Sequence, residues 1–210
     1  MSLGKQTLGD ICDFQGGSQP PKKEFKYENL DGHVRFLQIR DFGSDKNITY
    51  IPASKKNRYC YKDDILIGRY GASVGKILRG LSGAYNVALM KIIPDEEKVF
   101  KPWLYYYLCS SFFQKPLLKV ANRSAQNSFN KDEIKQFRVD LPSLSEQKRI
   151  VCKLDNIFAE IDKLISYTEL RNNNIENLKS ELLSNFIQNF DKGEKTKLRY
   201  AAKYVKNNAI

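Results

Sequence analysis

Residues 143–150 read Ser-Leu-Ser-Glu-Gln-Lys-Arg-Ile, and they begin a helical pattern that continues to about residue 190. Ser143 followed by Glu146 three residues later forms a capping box, a common start of a helix. Beyond it, apolar residues recur at alternating spacings of four and three, at Ile150, Leu154, Ile157, Ile161, Leu164, Ile175, Leu178 and Leu182. This spacing is a heptad seam, and it predicts one long coiled-coil helix.

The seam has a polar centre. Thr168 and Arg171 occupy two of its positions, and the run Arg171-Asn172-Asn173-Asn174 leaves open a break into two helices. An unbroken helix over residues 145–190 spans roughly 69 Å, which is longer than a domain of this size is wide. A helix lying on its own domain therefore does not account for the seam, and we expect a partner helix from a second copy or from another protein.

The net charge of +11 is unevenly distributed along the 210 residues. Residues 1–142 hold 23 Lys and Arg against 15 Asp and Glu, residues 143–190 hold 6 against 7, and residues 191–210 hold 6 against 2. The surplus thus lies before and after the helix. A basic folded domain favours a polyanionic partner such as nucleic acid, although a merely soluble basic protein has a similar composition.

The region before the long helix has the pattern of a mixed α+β domain. Apolar segments between Gly and Pro turns predict strands at 34–40, 48–51, 63–68, 77–78, 86–93 and 137–142. Residues 80–83 are expected to form a turn. Helical spacing predicts a helix from Pro102 to Phe112, packed on a twisted mixed sheet, and a short helix at 131–136.

We divide the chain accordingly into a globular domain (1–142), a coiled-coil helix (143–190) and a basic tail (191–210). Strands and helices without a regular βαβ alternation are typical of the α+β class.

Patterns for catalysis and metal binding are weak. The four cysteines lie far apart and His33, in a turn, is the single histidine, so we expect reduced, buried thiols and no zinc site. Residues 94–98 contain Pro-Asp and Glu-x-Lys elements of a nuclease pattern, but these are contiguous, which favours a charged turn. Gly75-Lys76 lacks the Ser or Thr that completes a Walker motif. We expect neither a catalytic centre nor a metal site.

The hydropathy pattern predicts neither export nor membrane insertion. No run approaches the roughly 20 apolar residues that span a bilayer, and the first residues lack an apolar signal region. We expect a cytoplasmic protein.

Three segments together resemble the specificity subunit of type I restriction-modification systems. The first runs from the polar loop 122–128 (Asn-Arg-Ser-Ala-Gln-Asn-Ser) to residues 141–150, which are similar to that family's Leu-Pro-x-x-x-Glu-Gln-x-x-Ile start of a spacer helix. The second, Asp64 to Lys76, is similar to its strand and glycine-containing loop. A weaker third match is Leu8-Gly9-Asp10-Ile11 with Gly16-Gly17.

The resemblance implies a division of labour. In that family each target recognition domain reads one half of a split DNA site, and spacer helices pair antiparallel to set the distance between the halves. A methyltransferase subunit carrying S-adenosylmethionine docks on this assembly, and a translocase-nuclease subunit can join it. The chain itself is then expected to bind double-stranded DNA, to bind no cofactor and to catalyse no reaction.

The chain has one recognition domain and one spacer helix, where full family members have two of each. It is either a half-sized or truncated subunit that homodimerises, or one half of a longer protein. The tail from Lys195 to Tyr204 aligns loosely with residues 5–14 and leaves open the start of a second half there. A symmetric homodimer would read a palindromic split site.

Candidate DNA contacts come from the polar and glycine-bearing loops. Lys and Arg bind phosphates, while Arg, Gln and Asn also hydrogen-bond to base edges. We expect contacts from Gln19, Lys22, Lys23, Gln38, Arg40, Arg69, Tyr70, Lys76, Arg79, Arg123, Ser124, Gln126 and Asn127. The loop 122–128 ranks highest for base contacts because it is the most polar. Two other functions stay open: a coiled-coil interaction protein with incidental charge, and a small DNA-modifying enzyme.

Overall fold

The structure is a computed structural model that describes residues 6–123 and 127–188. Its strands are β1 (Gln6–Thr7), β2 (Cys12–Gly16), β3 (His33–Leu37), β4 (Tyr50–Pro52), β5 (Tyr59–Cys60), β6 (Ile65–Gly68), β7 (Ile77–Leu78), β8 (Gly83–Tyr85), β9 (Leu89–Pro94) and β10 (Arg138–Val139). Its helices are α1 (Leu8–Ile11), α2 (Lys101–Cys109), α3 (Ser111–Ala121), α4 (Lys131–Lys135) and α5 (Leu144–Gln188). The α+β prediction is confirmed.

The strands form three small sheets. The first has the order β2-β9-β6-β7 and is antiparallel throughout. The second has the order β4-β3-β8-β5, in which β3 and β8 run parallel and the other pairs antiparallel. The third is the antiparallel pair β1-β10. Pairing of β1 with β10 brings the two ends of the globular domain together.

The main core lies between the first sheet and the helices α2 and α3. Ile67 and Met90 from the sheet pack with Leu104, Leu108 and Phe113 from the helices, and all five side chains are buried. Burying each large apolar side chain contributes about 1.5–3 kcal/mol. Pro102 lies in the first turn of α2, as expected, where its missing N–H costs no helical hydrogen bond.

Gln147 fastens the start of α5 to the domain. The residue is fully buried, its Nε2 donates to the carbonyls of Lys98 and Pro142 at 2.9 Å each, and its Oε1 accepts from the Phe100 N–H at 2.7 Å. A buried amide satisfied on both sides fixes one geometry. The described residues up to Lys153 form one compact unit and those from Leu154 form another, so the first turns of α5 belong to the globular unit.

The long helix is continuous. It covers 45 residues and passes through Arg171-Asn172-Asn173-Asn174 without a break, for a length of about 68 Å. At its start the Ser143 hydroxyl accepts from the Glu146 N–H at 3.3 Å, whereas the Glu146 carboxylate pairs with Arg149 at 2.7 Å. The Glu146 carboxylate therefore pairs with a residue three positions later and does not complete the expected capping box.

Several predicted boundaries are wrong. The strand expected at 34–40 ends at Leu37, and a short 3₁₀ turn follows it. The expected turn at 80–83 ends in β8, and the strand expected at 86–93 starts only at Leu89 because the Asn86 side chain accepts from the Ala88 N–H and bends the chain. The strand expected at 137–142 shortens to β10. The helical segment after Pro102 is two helices, α2 and α3, separated at Ser110.

The cysteine prediction holds in part. Cys12 and Cys60 are buried, whereas Cys109 and Cys152 are exposed, and none of the four is in a disulfide. Burial raises the pKa of Cys12 to about 12 and that of Cys60 to about 11. Both thiols are therefore protonated at neutral pH, which makes them poor nucleophiles.

Candidate nucleic-acid interface

The loops that carry most of the predicted contacts emerge at one end of the two larger sheets. Gly16 at the end of β2 and Gly68 at the end of β6 pair with Met90 and Leu89 at the start of β9. In the second sheet the ends of β3 and β8 lie side by side, and the Asn86 N–H donates to the Leu37 carbonyl at 3.1 Å. The segments following β2, β3, β6 and β8 are therefore neighbours.

We call this region the strand-end surface and define it by Gln19, Gln38, Arg69, Tyr70, Lys76, Arg123 and Asn127. Lys76 belongs to it because its carbonyl accepts from the Gly68 N–H at 2.9 Å. Gln19 follows Ser18, which forms a bridge with Asn86. Each of these residues was predicted as a DNA contact from the sequence, and the fold brings them to one end of the molecule's globular unit.

The loop ranked highest from sequence, 122–128, is joined directly to the loop that begins at Arg69 and Tyr70. The Gly71 N–H donates to the Asn127 carbonyl at 2.9 Å, and Tyr70 forms a bridge with Ser128. Asn127 has φ of 21°, an unusual value for a residue other than glycine. Ser124 and Gln126 lie outside the described residues, whereas their neighbours Arg123 and Asn127 are both exposed.

A cavity of about 440 Å³ opens where these loops meet, and it is lined by Arg69, Tyr70, Val120, Arg123, Ser128, Phe129, Asn130 and Glu133. The Glu133 carboxylate accepts from the Asn130 N–H at 2.8 Å and thereby caps α4. Two guanidinium groups beside a tyrosine form a site suited to an anion or to an aromatic base.

Arg69 is held in place by an aromatic ring and a backbone carbonyl. Its Cζ lies 5.1 Å from the centroid of the Tyr70 ring, and its Nη1 lies 3.5 Å from the Val87 carbonyl. Its Nε is buried and has no hydrogen-bond partner among the described residues. A guanidinium restricted by stacking loses less side-chain freedom when it binds a planar acceptor such as guanine.

Two glycines and one glutamine shape the loop between β6 and β7. A Cβ at Gly68 would lie 2.2 Å from the Ser73 carbonyl oxygen, so no larger residue fits. Gly75 has φ of 80°, which disfavours residues with a side chain. The Gln114 Nε2 donates to the Gly75 carbonyl at 2.9 Å and to the Leu108 carbonyl at 2.7 Å, which ties the loop to α3.

Arg79 is separated from the strand-end surface. It follows β7, whose far end adjoins the start of β6, where the Gly80 N–H donates to the Lys62 carbonyl at 2.8 Å. Its Cζ lies 3.8 Å from the centroid of the Tyr105 ring, and it lines two cavities of about 300 and 310 Å³. Burial raises the pKa of Tyr105, and the Arg79 cation opposes that rise.

The remaining predicted contacts lie in two further turns. Lys22 and Lys23 are exposed in a 3₁₀ turn over residues 22–24. Arg40 is exposed in the turn after β3, with its Nη2 3.5 Å from the Thr49 hydroxyl. The neighbouring Asp41 is only 4% exposed, and its carboxylate accepts from the Gln38 N–H at 2.6 Å. Burial raises the pKa of Asp41, despite the opposing effects of this hydrogen bond and of nearby arginines.

One part of the surface was missed from the sequence. Residues 86–88, expected to be strand, form a turn that packs under Arg69, with the Arg69 N–H donating to the Ala88 carbonyl at 2.9 Å. A Cβ at Gly17 would lie 1.9 Å from the Asn86 carbonyl oxygen, so Gly17 allows the close approach of these segments. In the sequence, the paired glycines at 16 and 17 were the signal that could have indicated this close approach of two backbone segments.

The seam of α5 divides into a packed start and an exposed remainder. Ile150 packs against the core of the globular unit, and Leu154 is half-buried. Further along, a row of apolar side chains is exposed by 41–69%: Ile157, Ile161, Leu164, Ile175, Leu178 and Leu182. An exposed apolar row of this length is typical of a helix that packs against a partner.

Within residues 6–123 and 127–188, no group of three or more His, Cys, Asp or Glu side chains is arranged to hold a metal ion. None of the described helices combines the length and the apolar character needed to cross a membrane.

The chain is similar to known proteins over most of its length. The type I restriction modification DNA specificity domain model matches residues 4–177. The type I restriction enzyme MjaVIII specificity subunit of Methanocaldococcus jannaschii is 25% identical over 197 residues, which cover 84% of this chain and 43% of that subunit. The chain thus spans less than half the length of this relative.

Two solved structures have a similar fold. One, from a study of complex assembly and conformational transition of the type I R-M system, superposes with a TM-score of 0.69 at 24% identity, over 85% of this chain and 44% of the other. The HsdS subunit of Thermoanaerobacter tengcongensis gives a TM-score of 0.59 at 26% identity, over 76% of this chain and 38% of the other. Because the family model covers far more than half of the residues, the chain belongs to the type I restriction modification DNA specificity domain family.

Proposed function

We propose that the chain reads DNA sequence and directs a type I restriction-modification methyltransferase and nuclease to a split target site. The observation that carries this proposal is the joining of the loop at Arg69–Tyr70 to the loop at Arg123–Asn127, which gathers guanidinium, amide and aromatic groups beside one cavity. Such groups supply both phosphate binding and hydrogen bonds to base edges. Membership of the DNA specificity domain family supports the same function.

The strand-end surface is proposed to face the DNA grooves. Arg69 and the amides Gln19, Gln38 and Asn127 are the candidates for base contacts, whereas Lys76 and Arg123 are suited to phosphates. Ser124 and Gln126 complete the set in the loop between Arg123 and Asn127. Lys22, Lys23, Arg40 and Arg79 lie in separate turns, and we propose them as more peripheral contacts.

The chain is proposed to act without a catalytic centre of its own. Methyl transfer would take place on a methyltransferase subunit that binds S-adenosylmethionine, and a translocase-nuclease subunit would join for cleavage. The two buried cysteines, whose pKa values are raised to about 12 and about 11, are unsuited to nucleophilic catalysis. Specificity would then be supplied by this chain and chemistry by its partners, in the cytoplasm where the DNA lies.

We also propose that α5 pairs with α5 of a second copy in antiparallel orientation. With a two-fold axis near Ser166, Leu154 faces the partner's Leu178 and Ile157 faces the partner's Ile175. Lys153 then lies beside the partner's Glu181, an attractive pair at the edge of the seam. A parallel, in-register dimer would instead place two Arg171 guanidiniums opposite each other. The chain would thus present two identical reading surfaces to one palindromic split site.

A selection from a random pool of duplex DNA tests the proposal. The purified chain, together with a type I methyltransferase subunit, would be incubated with the pool at fixed salt concentration, and the bound DNA would be sequenced. We expect enrichment of one motif with two related halves at a fixed spacing. Recovery of the pool without enrichment would contradict the proposal, because binding through phosphates alone does not distinguish sequences.

A further inference from the structure

The segment from Lys101 to Lys131 is strongly basic. It contains Lys101, Lys115, Lys119, Arg123 and Lys131 and neither Asp nor Glu. Three of these cations, Lys115, Lys119 and Arg123, are spaced four residues apart, and all three are exposed. Lys115 and Lys119 lie in α3, and Arg123 lies in the turn that ends it. We call these three residues the α3 stripe.

The packing of α3 turns the stripe toward solvent. Phe113, Leu117 and Ala121 are fully buried on the opposite side of the helix, in the main core. Residues four apart lie close together on one helix face, so Lys115 and Lys119 share the outer face. Phe112, which precedes them on that face, is 80% exposed. The helix therefore presents cations and an aromatic ring outward while its apolar side stays packed.

The α3 stripe runs beside the strand-end surface. Gln114 binds the Gly75 carbonyl in the loop between β6 and β7, and Val120 and Arg123 line the cavity that Arg69 and Tyr70 also line. The helix therefore follows this loop from Gly75 to Arg69. A molecule bound at the strand-end surface that extends past Arg123 would next meet Lys119 and then Lys115.

The charge of the stripe is not neutralised within the domain. In the described part of the chain, no ion pair involves Lys115, Lys119 or Arg123. Glu133, the acidic side chain lining the same cavity as Arg123, hydrogen-bonds to the Asn130 N–H. Three uncompensated cations in a row favour a ligand with regularly repeated negative charge.

We propose that the α3 stripe binds the phosphate backbone of the DNA whose bases the strand-end surface reads, an inference that rests on the proposed function. From Lys115 to Lys119 the helix advances about 6 Å. Phosphates of one strand follow each other at about 3.4 Å along the duplex axis, so the two lysines reach positions about two phosphates apart. Because phosphates are the same at every sequence, the stripe supplies affinity and orientation and leaves base choice to Arg69 and its neighbours.

The double substitution Lys115→Ala/Lys119→Ala tests the inference. Both side chains are exposed in a helix and alanine favours helices, so the fold should be retained, which circular dichroism checks. DNA affinity would be measured over a range of salt concentrations on the selected motif and on a scrambled duplex. Loss of two phosphate contacts should weaken binding to both duplexes by the same factor and lower the salt slope by about 1.8.

The matched control is Lys148→Ala/Lys163→Ala, which removes two exposed lysines from the sides of α5 away from its seam. The control should leave the salt slope unchanged. A salt slope equal to that of the control would overturn the inference. If binding of the methyltransferase subunit is lost as well, the stripe is a protein-docking surface. If the unmodified chain binds the motif and the scrambled duplex equally, the proposed function fails, while the difference in slope still decides the role of the stripe.

Discussion

At the residue scale, Arg69 combines a guanidinium restricted by stacking on Tyr70 with a position at the cavity of the strand-end surface. Its guanidinium lies over Tyr70, and its buried Nε has no partner among the residues that the structure describes. We expect Arg69→Ala to relax the choice of one base pair, with about a tenfold loss of preference, since a bidentate base contact contributes about 1–3 kcal/mol. Competition binding with single-base variants of the selected motif measures this.

The control for Arg69 is Arg79→Ala, which removes another arginine stacked on a tyrosine, at a site away from the strand-end surface. It should leave base preference unchanged. If Arg69→Ala and the unmodified chain prefer the same bases to the same degree, Arg69 does not contact bases.

Asp41 gives a second prediction at this scale, about stability and pH. Burial raises the pKa of its carboxyl above the ordinary value of 3.8, so the folded chain holds this proton more tightly than the unfolded chain does. The associated stability is complete below 3.8 and is lost as the pH rises through the folded value. Asp41→Asn stays neutral and keeps an oxygen that accepts from the Gln38 N–H. We expect it to stabilise the fold more at pH 7 than at pH 4.

Urea unfolding of both proteins at the two pH values measures the effect of Asp41. The difference in free energy of unfolding between variant and unmodified chain should grow from pH 4 to pH 7. A difference that stays constant or shrinks would contradict the assignment of a raised pKa.

At the element scale, the loop between β6 and β7 depends on glycine at position 75. A Cβ there would lie 2.6 Å from the Gln114 Oε1, in addition to the strain of φ 80°. Gly32 has a similar φ of 70° but no atom within 4 Å of a Cβ, so Gly32→Ala measures the backbone strain alone, about 1 kcal/mol. We expect Gly75→Ala to lower the free energy of unfolding by more than Gly32→Ala does, and to weaken sequence preference as well. Equal losses in thermal or urea unfolding would show that the Gln114 contact is unimportant.

The polar centre of α5 gives a prediction about the strength of dimerisation. Arg171 occupies a seam position at the polar centre of α5, and a Leu there would bury apolar area in the proposed dimer. We expect Arg171→Leu to tighten dimerisation by tenfold or more, since a fully buried Leu contributes about 1.5–3 kcal/mol. Sedimentation equilibrium measures the dissociation constant. Asn173→Leu, on the outer face of the helix, should leave it unchanged, and a monomeric unmodified chain at micromolar concentration would contradict the dimer.

The long helix and the strand-end loops differ in how far the sequence predicts them. The seam of α5 repeats at a fixed period, so the helical pattern follows from local spacing, whereas its continuity through residues 171–174 required the structure. Pairings such as Gly16 with Met90 depend on residues far apart in the chain, which no local pattern specifies. The helix α3 was missed because Pro116 lies within it, a residue that usually marks a helix boundary.

For the candidate site, too, local sequence patterns predicted the residues but not how they come together. Loops rich in Gly, Arg and amides identified Arg69, Lys76 and Arg123, because such residues have few roles in a core. The meeting of Arg69 and Arg123 at one cavity, and the separation of Arg79 from it, required the topology. Lys115 and Lys119 appear unremarkable in the sequence and become a stripe only once α3 is placed beside the loop from Gly68 to Lys76.

At the scale of the whole molecule, a globular unit precedes a long helix with an exposed apolar seam. In the proposed dimer, two copies face one DNA duplex, and a two-fold axis relates their strand-end surfaces. The most direct measurement is the profile of methylated sites in cells that express this chain with a type I methyltransferase subunit. The account predicts methylation confined to one motif with two inverted, identical halves at a fixed spacing, and loss of that motif without the chain. Methylation independent of the chain, or a motif with two unrelated halves, would contradict it.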